Sequence, residues 1–464
     1  MAAKESQTAA RTPAATTVEQ TAPPAREPPT EERTPTVTTA APTALPEMND
    51  TERGPGDRPA LSRCIRIPAD EFAREYWGRR PLLSEAATLA GAFDDLFSTE
   101  AVDELVTERG LRTPFIRMAH EGSVLKPASY TAPGGFGAEV GDQVSSDKVL
   151  AEFAGGATIV LQGLHRLWPP LIDFTRRLID DIGHPAQVNA YVTPASSRGF
   201  DPHYDVHDVF VLQISGEKHW RIHAPVHVDP LRDQPWSDHS VAVAEAATHA
   251  PVIDAVLRPG DALYLPRGWI HSAEALGDTS VHLTIGMAAY TRADVVQTLV
   301  AVAGDSPALR SSLPLGIDLT DAAAVRAIVE QTAEQLIAVL TSASVDDAAS
   351  TDRVARRLSA RLTDATRPEP IAPLATVDAI ARLDSATRVR WRGSLGARVE
   401  QSGDKVRLVS RLATLTLPGE ATDALRHLIT GTETVVAEVP GLDESDAVVV
   451  VRRLLREGFL VALE

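Results

Sequence analysis

The sequence predicts a mainly β domain, a sandwich or a jelly roll, the latter being the double-stranded β-helix. An α-helical segment and a small winged-helix-like α+β unit follow it. Three observations predict this order. Between about 157 and 290, short apolar runs alternate with Gly/Pro turns, the pattern of antiparallel strands. Residues 291–372 are Ala-rich, with Leu and Val at helical spacing, and residues 373–464 mix both periodicities. A chain of 464 residues and 49.6 kDa exceeds one compact domain, and 44% hydrophobic residues suffice for a substantial core.

Residues 1–60 hold ten of the 33 prolines and no aromatic, so they predict a disordered Pro/Thr/Ala-rich tail that cannot bury enough apolar surface to order itself. The domain at 61–290 opens with Phe72–Leu83, read as a helix closed by proline, with Phe72 and Trp77 facing inward. A second helix spans 99–110, with Thr99 as N-cap and Gly110 as the stop. Strands are predicted at Thr158–Gln162 and Gln187–Thr193, with a Trp168–Ile182 helix between them. Val206–Ile214 and Lys218–His223 read as a hairpin turning at Ser215-Gly216-Glu217. Val252–Leu257, Ala262–Leu265 and Val281–Met287 complete the strands. Residues 291–372 carry a long helix including Val325–Leu340 and end in a Pro-rich linker from Arg367 to Pro373. In the last unit, strands are expected at Ala397–Gln401 and Lys405–Val409, and helices at Ala421–Thr430 and Ser445–Arg456.

Charge and cysteine content narrow the function. With 45 Lys+Arg against 63 Asp+Glu, the net charge is -18, which argues against a dedicated phosphate-backbone binder. From Thr376 to the end the cations and acids nearly cancel, with no one-sided basic helix, which argues against nucleic acid as a partner. The single cysteine, Cys64, excludes an internal disulfide, a multi-cysteine zinc site and an iron–sulfur cluster. No membrane span or apolar signal region is expected, which makes the cytoplasm the default location.

Ten of the 13 histidines fall between His184 and His282, inside the strand-rich block. In Asp201-Pro-His203-Tyr-Asp205-Val-His207, residues two apart share a face of an extended chain. His203 and Asp205 can therefore aim an imidazole and a carboxylate at one point. Pro259-Gly-Asp-Ala-Leu-Tyr-Leu-Pro-Arg-Gly-Trp-Ile-His271 delivers a remote histidine through a strand and a shaped loop. An H-x-D pair plus one distant His is the facial triad of non-haem Fe(II) oxygenases, with open positions left for substrates. His207 lies in register with the pair, so His203/His207/His271 remains an alternative set. His282 reads as a cavity wall rather than a ligand. Lysine is rare here: only Lys4, Lys126, Lys148, Lys218 and Lys405 occur. Lys218 in a strand pair could therefore reach into the barrel and meet a carboxylate. Arg221 is the next candidate for that role.

The segment from Asn189-Ala-Tyr-Val-Thr-Pro to Ile222, with Pro259–Met287, closely resembles the JmjC-type, cupin-like 2-oxoglutarate oxygenases, and among them the ribosomal oxygenases. The Phe72–Leu83 stretch with Tyr76-Trp77 and Arg80-Pro81 is similar to their N-terminal element. The helices and last unit are similar in order to their dimerisation and C-terminal domains. The resemblance implies Fe(II) held by His203, Asp205 and His271, with O2 and 2-oxoglutarate as co-reactants. It implies that Lys218 binds the distal carboxylate of 2-oxoglutarate, with Thr284 beside the cosubstrate. Asn189 and Tyr191 fall where the family lines its substrate pocket. The resemblance departs at Val160 and Gly286, where histidyl-hydroxylating members carry polar substrate contacts, and at Ala275, where an Asn often follows the ligand His.

The function expected is hydroxylation of a side chain in a protein, such as a ribosomal protein, by a homodimeric enzyme whose acidity attracts a basic substrate. The alternatives are hydroxylation of a free amino acid or small peptide, and a metabolite-sensing regulator that binds nucleic acid through its last unit.

Overall fold

Alternation along the strands decides which side chains meet in the core and which are left for the site. The computed structural model describes residues 58–463, apart from 121, 138, 196, 198–200 and 346–347; the predicted tail to residue 57 lies outside it. Nine strands form one antiparallel sheet: β1 (Leu82–Ser84), β2 (Ile116–His120), β3 (Ser123–Val124), β4 (Thr158–Leu161), β5 (Ala186–Thr193), β6 (Asp208–His223), β7 (Ile253–Leu257), β8 (Ala262–Leu265) and β9 (Ile270–Met287). Their order is β1-β8-β6-β9-β5-β4-β2-β3, with β7 on the far half of β6. On one face Ile116, Met118, Val188, Ala190, Phe210, Leu212, Leu283 and Ile285 are buried in the main core. That core also takes Leu171, Phe174 and Leu178 of the helix α3 (Pro169–Ile182). The intervening residues Arg117, Tyr191, Thr193, Val209, Val211, His282 and Thr284 line a cavity on the other face. Strands from both ends of the order thus share one cavity, so the sheet curls around it in the cupin-like manner.

Several local expectations are corrected. Phe72–Leu83 is not one helix: α1 (Ala69–Glu75) stops at Tyr76, Gly78 turns at φ 64°, and Leu82–Ser84 pairs with β8 as an edge strand. Pro81 disfavours helical geometry in the residue before it, which leaves the following residues free to extend. Helix α2 (Thr99–Thr107) is capped by Ser98, whose hydroxyl accepts from the Ala101 N–H at 3.2 Å, and not by Thr99. The predicted hairpin at Ser215–Glu217 is absent, because β6 runs unbroken through it. Gly216, at φ 64°, instead sits at an irregularity where the β9 partners jump from Leu276 to Val281. A bulge twists a strand without reversing it. β9 likewise begins at Ile270, not at Val281, so His271 is a strand residue.

Beyond the sheet, α4 (Arg292–Ala303), α5 (Ala322–Val345) and α6 (Ala348–Ala365) pack on one another. Thr291 and Asp294 close a capping box at the start of α4. The final unit has its own core, built by α7 (Pro373–Ala381), α8 (Thr422–Leu428) and α9 (Glu444–Arg456). Around it lie β10 (Arg388–Trp391), β11 (Arg398–Ser402), β12 (Lys405–Val409), β13 (Thr414–Pro418), β14 (Thr434–Val435) and β15 (Leu460–Leu463). They form two three-stranded sheets, β14-β10-β15 and β11-β12-β13. No helix among the described residues is long and apolar enough to cross a membrane.

Candidate metal and cosubstrate site

His203 and His271 face each other through a two-way backbone bridge: the His271 N–H donates to the His203 carbonyl at 2.8 Å and the reverse bond is 3.2 Å. Asp205, two residues on, completes a group whose ligand atoms all lie within 4.8 Å of one another. Nε2 of His271 is 3.8 Å from the Asp205 carboxylate, too long for a hydrogen bond. Metal–ligand bonds of ~2.1 Å leave neighbouring ligands about 3–4 Å apart, so one cation fits that gap. Each ring is oriented by its other nitrogen. Nδ1 of His203 donates to the Asp201 carbonyl at 2.7 Å, and Nδ1 of His271 to the Trp269 carbonyl at 3.1 Å. Both Nε2 atoms are thereby presented to the centre of the group.

Protonation states suit the same task. Burial, reinforced by the charge of His203, holds the His271 imidazole well below its ordinary range, hence neutral near pH 7. Burial would raise Asp205, but His207, His271, His203 and Arg117 outweigh it and keep the carboxylate ionised. Neutral imidazoles and an ionised carboxylate are the required ligand forms. Two histidines and one carboxylate is a donor set suited to Fe(II), so the residues present fit that group.

The cavity beside them has a volume of about 350 Å³. Lys218 lies deep in its wall, 3% exposed, with its ammonium donating to the Thr193 hydroxyl at 3.0 Å. Burial pushes Lys218 down to about 7. No carboxylate among the described residues pairs with it, so the site has a cation awaiting an anion. Tyr191 stacks on His282, ring centroids 5.1 Å apart at 5°, and both line the cavity with Thr284. Burial, then Lys218, keeps His282 far below its usual value, so it is a neutral wall residue.

Other expected residues lie elsewhere. Asn189 is not in the cavity lining; its side-chain oxygen accepts from the Gly163 N–H at 3.1 Å. His207 is outside the metal group and lines a second cavity of about 580 Å³. Its ring fills the space of a Cβ on Gly286, whose position would be 2.6 Å from the imidazole. The glycine at that departure from the family pattern is therefore coupled to His207. Arg221 faces solvent and contacts His219. Arg117, Thr193, Ser272 and Trp236 also line the cavity and were not anticipated. For Arg117 a signal existed: Ile116-Arg-Met-Ala alternates with period two and puts the arginine opposite the apolar face.

Residues 167–295 match the JmjC domain family and include the strands β5 to β9 of the mostly antiparallel sheet. The relatives this chain resembles include ribosomal oxygenases. It is 32% identical over 228 residues to ribosomal oxygenase 1 of Gallus gallus, covering 48% of this chain and 36% of that protein. It is 30% identical over 240 residues to the bifunctional lysine-specific demethylase and histidyl-hydroxylase NO66 of Drosophila persimilis, covering 50% and 31%. With ribosomal oxygenase 2 of Mus musculus it shares 46% identity over 99 residues, 21% of this chain and 20% of that protein. The chain thus spans about a third of the length of the first two relatives. Among solved structures, it is similar to Escherichia coli ribosomal oxygenase YcfD in complex with cobalt and succinic acid. That match has a TM-score of 0.48 at 16% identity, over 86% of this chain and 99% of the other.

Proposed function

We propose that the protein is an Fe(II)- and 2-oxoglutarate-dependent dioxygenase that hydroxylates a side chain of a protein substrate such as a ribosomal protein, a reading supported by its similarity to proteins named ribosomal oxygenase and histidyl-hydroxylase. The observation that carries the proposal is the coexistence, in one 350 Å³ cavity, of the His203/Asp205/His271 group and the unpaired buried cation of Lys218.

His203, Asp205 and His271 would hold the iron through two Nε2 atoms and one carboxylate. The metal, when bound with 2-oxoglutarate and O2, supplies the oxidising power to functionalise an unactivated C–H bond. The chain's own residues bind and orient. Lys218 takes the distal carboxylate of 2-oxoglutarate, and Thr193 fixes its ammonium by accepting one of its protons. Thr284, which lines the cavity on the strand of His282, would flank the cosubstrate. Tyr191 and Trp236 supply walls for the target side chain, while Asn189 positions the turn after β4. Val209, Val211 and Leu265 keep that part of the cavity dry. As further proposals, α4–α6 form a dimer interface and the last unit serves as a protein-contact scaffold.

The function is tested by comparing intact masses of ribosomal proteins from cells with and without this protein. A +16 Da difference on one of them is expected. Its absence, with hydroxylation of a free amino acid found instead, would move the reading to small-molecule chemistry. His271→Ala should abolish the activity and sharply lower bound iron measured by elemental analysis. Loss of iron in His207→Ala but not in Asp205→Ala would overturn the ligand set.

A further inference from the structure

The cavity holds a second cation that the roles above leave unused. Arg117 stands on β2, where Ile116 and Met118 enter the core and Arg117 and Ala119 face the cavity. The register across the sheet runs from Arg117 to Val160, from Val160 to Tyr191 and from Tyr191 to His282. Val160 is short, apolar and fully buried, so nothing tall separates the guanidinium from the phenol. The side chains of Arg117 and Tyr191 are hydrogen-bonded to each other.

This pair has a one-sided chemistry. A guanidinium offers five N–H donors and no acceptor. With the Tyr191 oxygen accepting from Arg117, the phenolic O–H remains a donor. Burial, with Asp205 nearby, raises Tyr191, so the phenol keeps that proton. Among the described residues the lining has two carboxylates: Asp205, in the ligand group, and Asp201, exposed beside Gly122. Lys218, the other Lys or Arg among those described lining residues, has the cosubstrate's carboxylate as its expected partner. A target side chain entering here therefore meets donors and positive charge at Arg117.

We infer that Arg117, acting with Tyr191, is a specificity-determining residue that admits a target side chain bearing a hydrogen-bond acceptor, an imidazole, carboxamide or carboxylate, and rejects lysine and arginine. The inference deepens the proposed protein-hydroxylase reading and rests on it. Two like charges a few ångströms apart in a partly buried cavity repel each other, whereas an acceptor gains a charge-assisted hydrogen bond. Exclusion of the wrong side chain sets specificity as much as contact with the right one.

The test measures binding rather than turnover. Capped Gly-Gly-X-Gly-Gly peptides, with X as His, Asn, Lys or Arg, are titrated by ligand-observed NMR against the metal-free full chain. The wild type should bind the His and Asn peptides at least tenfold more tightly than the Lys and Arg peptides. Arg117→Glu should invert that ranking, and Arg117→Met should erase it. Equal binding of all four peptides by the wild type, no detectable binding of any, or a ranking unmoved in Arg117→Glu would overturn the inference. If Arg117→Glu does not fold, Arg117→Met decides: a lost ranking supports the role and a retained one refutes it. The oxygenase reading stands separately on peptide-independent conversion of 2-oxoglutarate to succinate by the wild type.

Discussion

A lysine buried to 3% exposure with only a threonine hydroxyl as partner is costly to fold, and Lys218 shows the cost in its displacement from 10.5 to about 7. At ~1.4 kcal/mol per pH unit, that displacement amounts to several kcal/mol as an upper bound. Between pH 7 and 10.5 the unfolded chain binds more protons than the folded one, so stability of the free protein rises with pH across this window. Lys218→Met should therefore be more stable than the wild type at pH 7 in urea unfolding, with the gap narrowing toward pH 9. A gap independent of pH would mean that the ammonium is not buried as described. Binding of 2-oxoglutarate should reverse the displacement, because its carboxylate favours the charged amine. Calorimetry in buffers of different ionisation enthalpy should show proton uptake at pH 8, and Lys218→Met should weaken 2-oxoglutarate binding at least tenfold. Much of this site could be read from the sequence, since H-x-D spacing on an extended chain leaves little freedom and a lysine stands out among 40 arginines. For the same reason Arg117 did not stand out, and only the fold shows which arginine is turned inward.

The strand pair β6–β9 carries the site, with Lys218 on one strand, His271, His282 and Thr284 on the other, and the irregularity at Gly216 between them. Gly216 has a positive φ of 64°, and a Cβ there would lie 2.2 Å from the Thr279 carbonyl oxygen. A backbone atom cannot swing away as a side chain can. Gly216→Ala should therefore cost at least ~2 kcal/mol, from left-handed strain and overpacking together. It should also raise the 2-oxoglutarate requirement, because Lys218 follows two residues later. Unchanged stability by thermal unfolding would show that the irregularity relaxes freely. This element marks where local sequence reading stopped. Ser-Gly-Glu between apolar runs has the chemistry of a hairpin turn, yet the same residues serve a bulge when both flanking runs pair with one long partner. The short strands β10 and β15 were missed for a related reason. β15 packs on α7 and α9, and β10 is held by pairing with β14 and β15, contacts that no local period records. By contrast, Ala262–Leu265 and Lys405–Val409 were placed as observed, because clear turns bound each of them.

At the scale of the whole molecule, the helical segment carries apolar surface that its own chain does not cover. Val296 and Val300, one turn apart on α4, are 56% and 47% exposed, and Val329 and Ile337 on α5 are 59% and 63% exposed. The turns between these helices add Leu313, Leu315 and Leu319 to the exposed apolar surface. The final unit does not shield this surface. It is tied instead to α3, where Ser394 donates to Asp180 at 2.7 Å and Arg176 reaches Ser394. Glu369 holds the linker to the same unit through Arg390 and the Gly393 N–H. Burial alone would raise Glu369, but those donors bring it down to about 2, so this tie persists at neutral pH. A chain of net charge -18 repels its own copies at long range, and only a close apolar contact would overcome that repulsion. The face on α4 and α5 is of that kind, and closed two-fold pairing is the commonest way to cover such a surface. Light scattering at micromolar concentration should give twice the 49.6 kDa chain mass. Because burial of apolar area is not screened by salt, the dimer should persist or tighten at 1 M NaCl, where repulsion is reduced. Val296→Glu with Ile337→Glu should yield a folded monomer that still binds iron. A monomeric wild type under these conditions would show that this face is left for a different partner.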